Sequence, residues 1–265
     1  MDIQKYPRTP HLEGSRLQVG DHDLSQIKIE EIKHRFLVLE EKLDGANVGI
    51  SFDESGKLML QSRGHFLTGG PREKHFALFK AWANCHLRSL YSLLGRRYQM
   101  YGEWLYAKHT VFYDQLPHYF LEFDIYDRES HHWLDTPTRH TLLSGSPIRS
   151  VPVLAQGPTP EVMPVTRWLT RSNYQSPSME IVLRDQAHKQ GLDATRVLSE
   201  TFLEPVMEGI YVKVEEGGHT VDRLKWVSTG FTNSILDSGT HWHHRPIFPN
   251  VLAPGSDIYT VIGSY

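Results

Sequence analysis

Phe36-Leu37-Val38-Leu39-Glu40-Glu41-Lys42-Leu43-Asp44-Gly45-Ala46-Asn47 is the stretch from which the rest of this chain can be read. The apolar run Phe36 to Leu39 predicts a buried strand, and that strand delivers a lysine at its end. Lysine on a sheet surface normally points into water. Here Asp44 sets a carboxylate two residues away, and Gly45 lets the backbone turn sharply. Beyond the turn, Val48-Gly49-Ile50-Ser51-Phe52 alternates as a strand. Asp53-Glu54-Ser55-Gly56 reads as a turn, and Leu58-Met59-Leu60-Gln61-Ser62-Arg63 as the returning strand. Both flanks of Lys42 are therefore expected in one antiparallel sheet, with Arg63-Gly64 at its end beside the lysine.

The whole chain sets the frame. Its 265 residues are enough for one large domain or two small ones with a substantial core. With 39% hydrophobic and 22% charged residues, the composition is that of a globular protein. No apolar run approaches the ~20 residues of a membrane span, and Met1 to Pro7 carries no hydrophobic signal segment. The lone Cys85 leaves no internal disulfide and no cysteine-based zinc site. Together these predict a cytoplasmic protein. A net charge of −3 argues against a uniformly basic surface but permits a local basic groove.

Outside the first motif, the arm Tyr6-Pro7-Arg8-Thr9-Pro10-His11-Leu12 reads either as a surface loop or as a basic contact. Ile27 to Ile32 suits a short strand or a helix. Residues 73–94 predict one helix, with Phe76, Phe79, Ala83, Leu87, Leu90 and Leu94 on its apolar stripe and Gly95 closing it. Trp82 and Cys85 join that core. Gln99 to Tyr106 predicts an apolar strand carrying Glu103, which must find a donor or face a ligand. Tyr119 to Asp127 alternates, with Tyr119, Leu121, Phe123 and Ile125 expected on one face and Phe120, Glu122, Asp124 and Tyr126 on the other. Phe123 is then core packing or the wall on which a purine stacks. Residues 137–205 are mostly helical in pattern, with a short strand at Val151 to Leu154 and a helix from Asp193 to Leu203. Met207 to Val214 and Val221 to Val227 predict two further strands. Arg223 and Lys225 share a face of the second, as an anion site or as a charged edge.

Taken in order, these residues resemble the covalent nucleotidyltransferases, the ATP-dependent polynucleotide ligases and mRNA capping enzymes. The closest likeness is to RNA ligases of the RNA ligase 2 type, which include phage and kinetoplastid RNA-editing ligases. Glu41 to Asn47 matches the nucleophile motif, and Ser62-Arg63-Gly64 is similar to the second. Gly102-Glu103-Trp104, Leu121 to Tyr126, Glu208-Gly209-Ile210 and Arg223-Leu224-Lys225-Trp226 resemble the four that follow. The likeness runs from Phe36 to Val227. It departs at Arg223, where a lysine is common. The 38 residues after Val227 are also too few for the oligonucleotide-binding domain of DNA ligases and capping enzymes.

The resemblance implies an α+β nucleotidyltransferase domain of two antiparallel sheets flanked by helices, with ATP in the groove between them. It would span residues 36–230, after an arm of residues 1–35 and before a short extension of residues 231–265. It implies that Lys42 attacks the ATP α-phosphorus to form a lysine-AMP. Lys225, Arg223 and a metal ion would favour the neutral amine, and Arg63 would orient sugar or phosphate. Cofactor contacts would come from Glu41, Lys42, Asn47, Arg63, Glu103, Phe123, Glu208, Arg223 and Lys225. Among them Glu103 would accept from the ribose and Phe123 would stack on adenine. Mg²⁺, or Mn²⁺ in its place, would sit on Glu208 and secondarily on Asp44. AMP would then pass to a 5′-phosphate and be displaced by a 3′-hydroxyl, joining RNA ends for repair, with a separate kinase or phosphatase preparing them. DNA joining, GTP-dependent capping-type transfer and a catalytically idle nucleotide-binding module are the rival readings. Of the 16 histidines, the group His241-Trp242-His243-His244 reads as surface packing rather than a metal site.

Overall fold

The computed structural model describes residues 3–17, 25–237 and 246–260. Its strands are β1 (His11–Leu12), β2 (Gln26–Ile27), β3 (Phe36–Lys42), β4 (Ala46–Phe52), β5 (Leu58–Ser62) and β6 (Tyr98–Trp104). β7 (Phe120–Asp127), β8 (His132–Trp133), β9 (Arg149–Ser150), β10 (Val153–Pro158), β11 (Gly209–Glu216) and β12 (His219–Val227) complete the set. Helices are α1 (Ala77–Cys85), α2 (Leu87–Leu94), α3 (Thr136–Leu143), α4 (Thr159–Val162), α5 (Met179–Lys189), α6 (Ala194–Ser199) and α7 (Thr229–Asp237). One sheet has the order β10-β3-β11-β12-β1-β2 and the other β5-β4-β6-β7-β8, with β9 beside β7. All the long pairings are antiparallel. This is the α+β arrangement of two sheets that the motif order implied. No helix among the described residues is long and apolar enough to cross a membrane.

The expectation that both flanks of Lys42 share a sheet is overturned. β3 lies in the first sheet and β4 in the second, so Leu43-Asp44-Gly45 steps across the gap between them. Gly45 makes the step possible: a Cβ there would stand 2.8 Å from the Trp104 carbonyl and 2.8 Å from the Leu105 side chain. Lys42 therefore ends one sheet where the other begins.

Alternation along β7 is also broken. The register skips between Tyr101 and Gly102, so that Gly102 faces Glu122, Tyr101 faces Asp124, and Phe123 is the extra residue of a β-bulge. Phe120 and Ile125, of opposite parity, consequently share one core cluster, while Leu121 and Phe123 belong to another. The single helix expected over residues 73–94 is a 3₁₀ turn (Pro71–Phe76) followed by α1 and α2. The break falls at His86 (φ −97°, ψ 14°), whose Nε2 is 2.9 Å from the Ile258 carbonyl oxygen. Ile27 to Ile32 divides into the end of β2 and a 3₁₀ turn from Ile29 to Ile32. The strand expected at Val151 begins at Val153, pairing with β3, and the helix expected to reach Leu203 stops at Ser199. Asp193 caps that helix by accepting from the Thr195 amide at 2.9 Å.

Three clusters hold the layers. Val48, Ile50, Phe52, Met100 and Ile125 pack against Phe79, Trp82, Leu90 and Leu94 of the helices. Leu37, Leu39, Ile210, Val212 and Leu224 fill the outer face of the first sheet. Leu43, Leu105, Leu121, Val227 and Phe231 join the two sheets. Each such buried side chain contributes about 1.5–3 kcal/mol. The arm of residues 3–12 is not a surface loop. The Gln4 carbonyl accepts from Gln61 Nε2, Gln99 Nε2 and Tyr101 Oη of the second sheet, while β1 pairs with β12 of the first.

Candidate active site

Strand alternation places Val38, Glu40 and Lys42 of β3 on the face turned toward the second sheet. Their partners are Lys213, Tyr211 and Gly209 on β11, and Arg223 and Lys225 follow across β12. At the end of this row the Lys42 ammonium donates to Glu208 Oε1. Glu208 is 2% exposed, and its other oxygen, Oε2, is buried without a hydrogen-bond partner. Glu103 enters from β6, paired across from Asn47, and its Oε1 accepts the Gly45 amide at 3.0 Å. Asn47 Oδ1 is likewise buried and unpartnered.

The electrostatics follow from a cluster of acids around one amine. Burial lifts Glu103 to about 8, helped by Glu208 and Asp44 and opposed by Lys42. Burial lifts Glu208 to about 7, with Asp44 adding to it and Lys42 and Lys225 opposing. Burial alone would lower Lys42, but the Glu208 carboxylate outweighs it and holds the amine well above its ordinary value. The expectation that neighbouring cations favour the neutral amine is therefore reversed by Glu208. Asp44 is turned elsewhere: its Oδ2 accepts the Thr110 and Val111 amides, both at 2.7 Å, and its own amide donates to Tyr113 Oη at 2.8 Å.

Beside the lysine on the same sheet, the ring of Tyr211 is parallel to within 7° to that of Phe123 from the second sheet, with centroids 6.5 Å apart. Tyr6 of the arm meets the edge of Phe123 at 5.1 Å, and Thr9 Oγ1 lies 3.4 Å from Tyr211 Oη. Arg63 is exposed at the end of β5, and its charge reaches the Tyr211 hydroxyl. Lys225 is 8% exposed on β12 and its charge acts on Glu208.

Two expected contacts are placed differently. Glu41 points away from Lys42, buried near Ser172 and Asn173 with no well-formed hydrogen bond, and burial lifts it to about 7. Arg223 is not presented to the groove as a free phosphate ligand. Its Nε donates to Asp124 Oδ2 at 2.7 Å, and its guanidinium stacks 4.2 Å from the centre of Trp133. The histidine group at residues 241–244 lies outside the described residues.

Sequence reasoning passed over the buried charges beneath the slot. Arg139, fully buried on α3, donates to Glu40 Oε1 at 2.6 Å and to Glu122 Oε1 at 2.7 Å, bridging the two sheets. Lys213 pairs with Glu40 at 2.8 Å and Asp124 at 3.4 Å and donates to the Phe123 carbonyl. Asp124 also accepts from Tyr6 Oη at 2.6 Å. Burial would raise Asp124, but Arg223 and Lys213 hold it well below the usual carboxylate range. Three carboxylates and three cations thus close a neutral network. Glu40 stands two residues before Lys42, and Tyr211 and Lys213 two and four after Gly209. The i, i+2 rule marks them all. Arg139 has no such signal.

Residues 35–227 match the model of a family described as RNA ligase. No curated protein matches. Among solved structures, a Naegleria gruberi RNA ligase mutant with AMP and Mn is 16% identical, TM-score 0.50, over 79% of this chain and 54% of that one. An archaeal ATP-dependent RNA ligase is 18% identical, TM-score 0.51, over 86% and 49%. A second Naegleria gruberi mutant, with ATP and Mn, is 15% identical, TM-score 0.51, over 87% and 58%. These likenesses show a shared fold, and the chain spans about half the length of each of those proteins.

Proposed function

Since this chain belongs to the RNA ligase family, we propose that it is an ATP-dependent RNA ligase in which Lys42 takes AMP from ATP. The observation that carries this is a largely covered amine, 17% exposed, held by Glu208 where one sheet hands over to the other, beside a parallel pair of rings contributed one by each sheet. In this reading a purine enters between Phe123 and Tyr211, whose near-parallel rings would stack on its two faces. The base then lies in the slot and the phosphates run toward Lys42, Lys225 and Arg63.

In this reading the Lys42 ammonium gives up one proton, and its nitrogen bonds to the α-phosphorus as the bond to the β-phosphate oxygen breaks. Pyrophosphate leaves, a second proton is lost, and a lysine-AMP phosphoramidate remains. Lys225 stabilises charge on the phosphate oxygens, and Glu103 is placed to accept from the ribose. A divalent ion fits the unpartnered Glu208 Oε2. Mg²⁺ would be held there by one carboxylate, water and phosphate. Asp44, with Oδ2 saturated by two amides, is not assigned to it. When bound, such an ion would offset the charge of Glu208, the group that holds the Lys42 proton, and would polarise the phosphate.

AMP passes next to an RNA 5′-phosphate, and a 3′-hydroxyl displaces it to seal the strand. RNA repair with separate end-healing enzymes is the role this chemistry suits. The test is incubation with α-labelled ATP and Mg²⁺, followed by intact-mass and peptide analysis. One AMP on Lys42, and none in Lys42→Ala, is expected; label on another residue overturns the assignment. Labelled GTP in place of ATP, and RNA, DNA and hybrid nicks, separate the capping and DNA-joining readings. An inert protein would be the idle module.

A further inference from the structure

The segment of residues 246–260 has no role in the chemistry above, yet it is bound to the loop that holds Asp44. Asn250 is its centre: 1% exposed, with every polar group engaged by that loop. Its Oδ1 accepts the Tyr113 amide at 2.9 Å and its Nδ2 donates to the Leu105 carbonyl at 2.7 Å. Its amide donates to the Tyr106 carbonyl at 2.8 Å and its carbonyl accepts from Tyr119 Oη at 3.0 Å. Neighbouring backbone bonds continue the seam, from Lys108 N to Phe248 O, Val251 N to Tyr113 O and Leu116 N to Val251 O. The loop of residues 105–119 has no strand of its own along this stretch, so the segment does for it what a neighbouring strand does in a sheet.

Tyr113 connects this seam to the nucleophile turn. Its backbone amide is fixed by Asn250, and its hydroxyl, at the far end of a buried ring, accepts the Asp44 amide. The adjacent Thr110 and Val111 amides grip the Asp44 carboxylate. From Asn250 to the turn carrying Lys42 the path crosses one residue. A side chain that is hydrogen-bonded at every polar atom has one orientation, and an orientation fixed to that degree is what an in-line attack requires.

We propose that Asn250 is a positioning residue for Lys42, acting through Tyr113 and Asp44, so that residues 246–260 are part of the adenylylation machinery and not a dispensable tail. The proposal rests on the reading of Lys42 as the nucleophile. Two variants test it separately from stability. Asn250→Asp keeps the shape but sets an acceptor against the Leu105 carbonyl. Tyr113→Phe removes only the acceptor for the Asp44 amide and leaves the seam intact. Pre-steady-state adenylylation with labelled ATP, measured on folded protein over a range of ATP, is expected to show the maximal rate falling tenfold or more in each. The ATP concentration for half-maximal rate should stay within threefold. The double variant should be no slower than the worse single one, as two steps on one path require. Maximal rates within twofold of wild type in either folded variant, or independent multiplication of the two effects, would overturn the proposal. Should Asn250→Asp not fold, Tyr113→Phe alone decides on the same rate criterion. Lys42→Ala run alongside distinguishes the failures: label retained there sinks the nucleophile assignment. Label lost there while Asn250 and Tyr113 variants run normally sinks only the positioning role.

Discussion

Replacing Arg139 with methionine should cost this protein more stability than almost any other single change. The guanidinium is fully buried and donates to Glu40 of β3 and, through two bonds of 2.7 and 2.9 Å, to Glu122 of β7. Methionine nearly keeps the volume and removes the charge. Glu40 retains Lys213, but Glu122 is left with the Ser150 hydroxyl alone. Taking one partner from a buried pair costs about 3–5 kcal/mol, because the other charge stays buried. In urea that corresponds to a midpoint about 1–2 M lower at a slope near 3 kcal/mol per M. Urea melts followed by tryptophan fluorescence measure the loss. A loss below about 1 kcal/mol would refute the reasoning.

Two further outcomes follow from the site. Burial pushes Glu208 up to about 7 and Glu103 up to about 8, and a protonated Glu208 cannot hold a cation. Adenylylation should therefore fall as pH drops through 7, and raising Mg²⁺ should move the profile toward acid; a flat rate from pH 8 to 6 would contradict it. Tyr211→Ala removes one wall of the slot. With stacking worth ~1–3 kcal/mol per base, the KM for ATP should rise roughly 5- to 150-fold while Tyr211→Phe stays near wild type, as read in the pyrophosphate-release assay.

What the chain discloses about itself depends on whether a property is local. Lys42, Glu103, Phe123, Glu208 and Lys225 were legible because each stands at a strand end or on a face marked by its neighbours. The choice of sheet was not. A hairpin and a crossing between layers use the same turn residues, and Gly45 was needed for a close approach to Trp104 and Leu105 that only the folded chain displays. The displaced alternation at Phe123 came from a bulge set by pairing with β6, far away in sequence. Arg223 looked like a phosphate ligand because its acceptor, Asp124, lies on another sheet. Arg139 was invisible because a lone arginine in a short helix has no period or motif to mark it.

The sealed ring of six charges has a bearing on ionic strength. Mobile ions weaken pairs they can approach, within a Debye length of roughly 8–10 Å of solvent, and Arg139, Lys213, Glu40, Glu122 and Asp124 are each no more than 1% exposed. Added potassium chloride leaves the floor of the groove as it was and acts only on the charges at its rim. If the proposed function holds, sensitivity of sealing to salt would accordingly measure the grip on the polyanion, not the integrity of the chamber in which the amine is held.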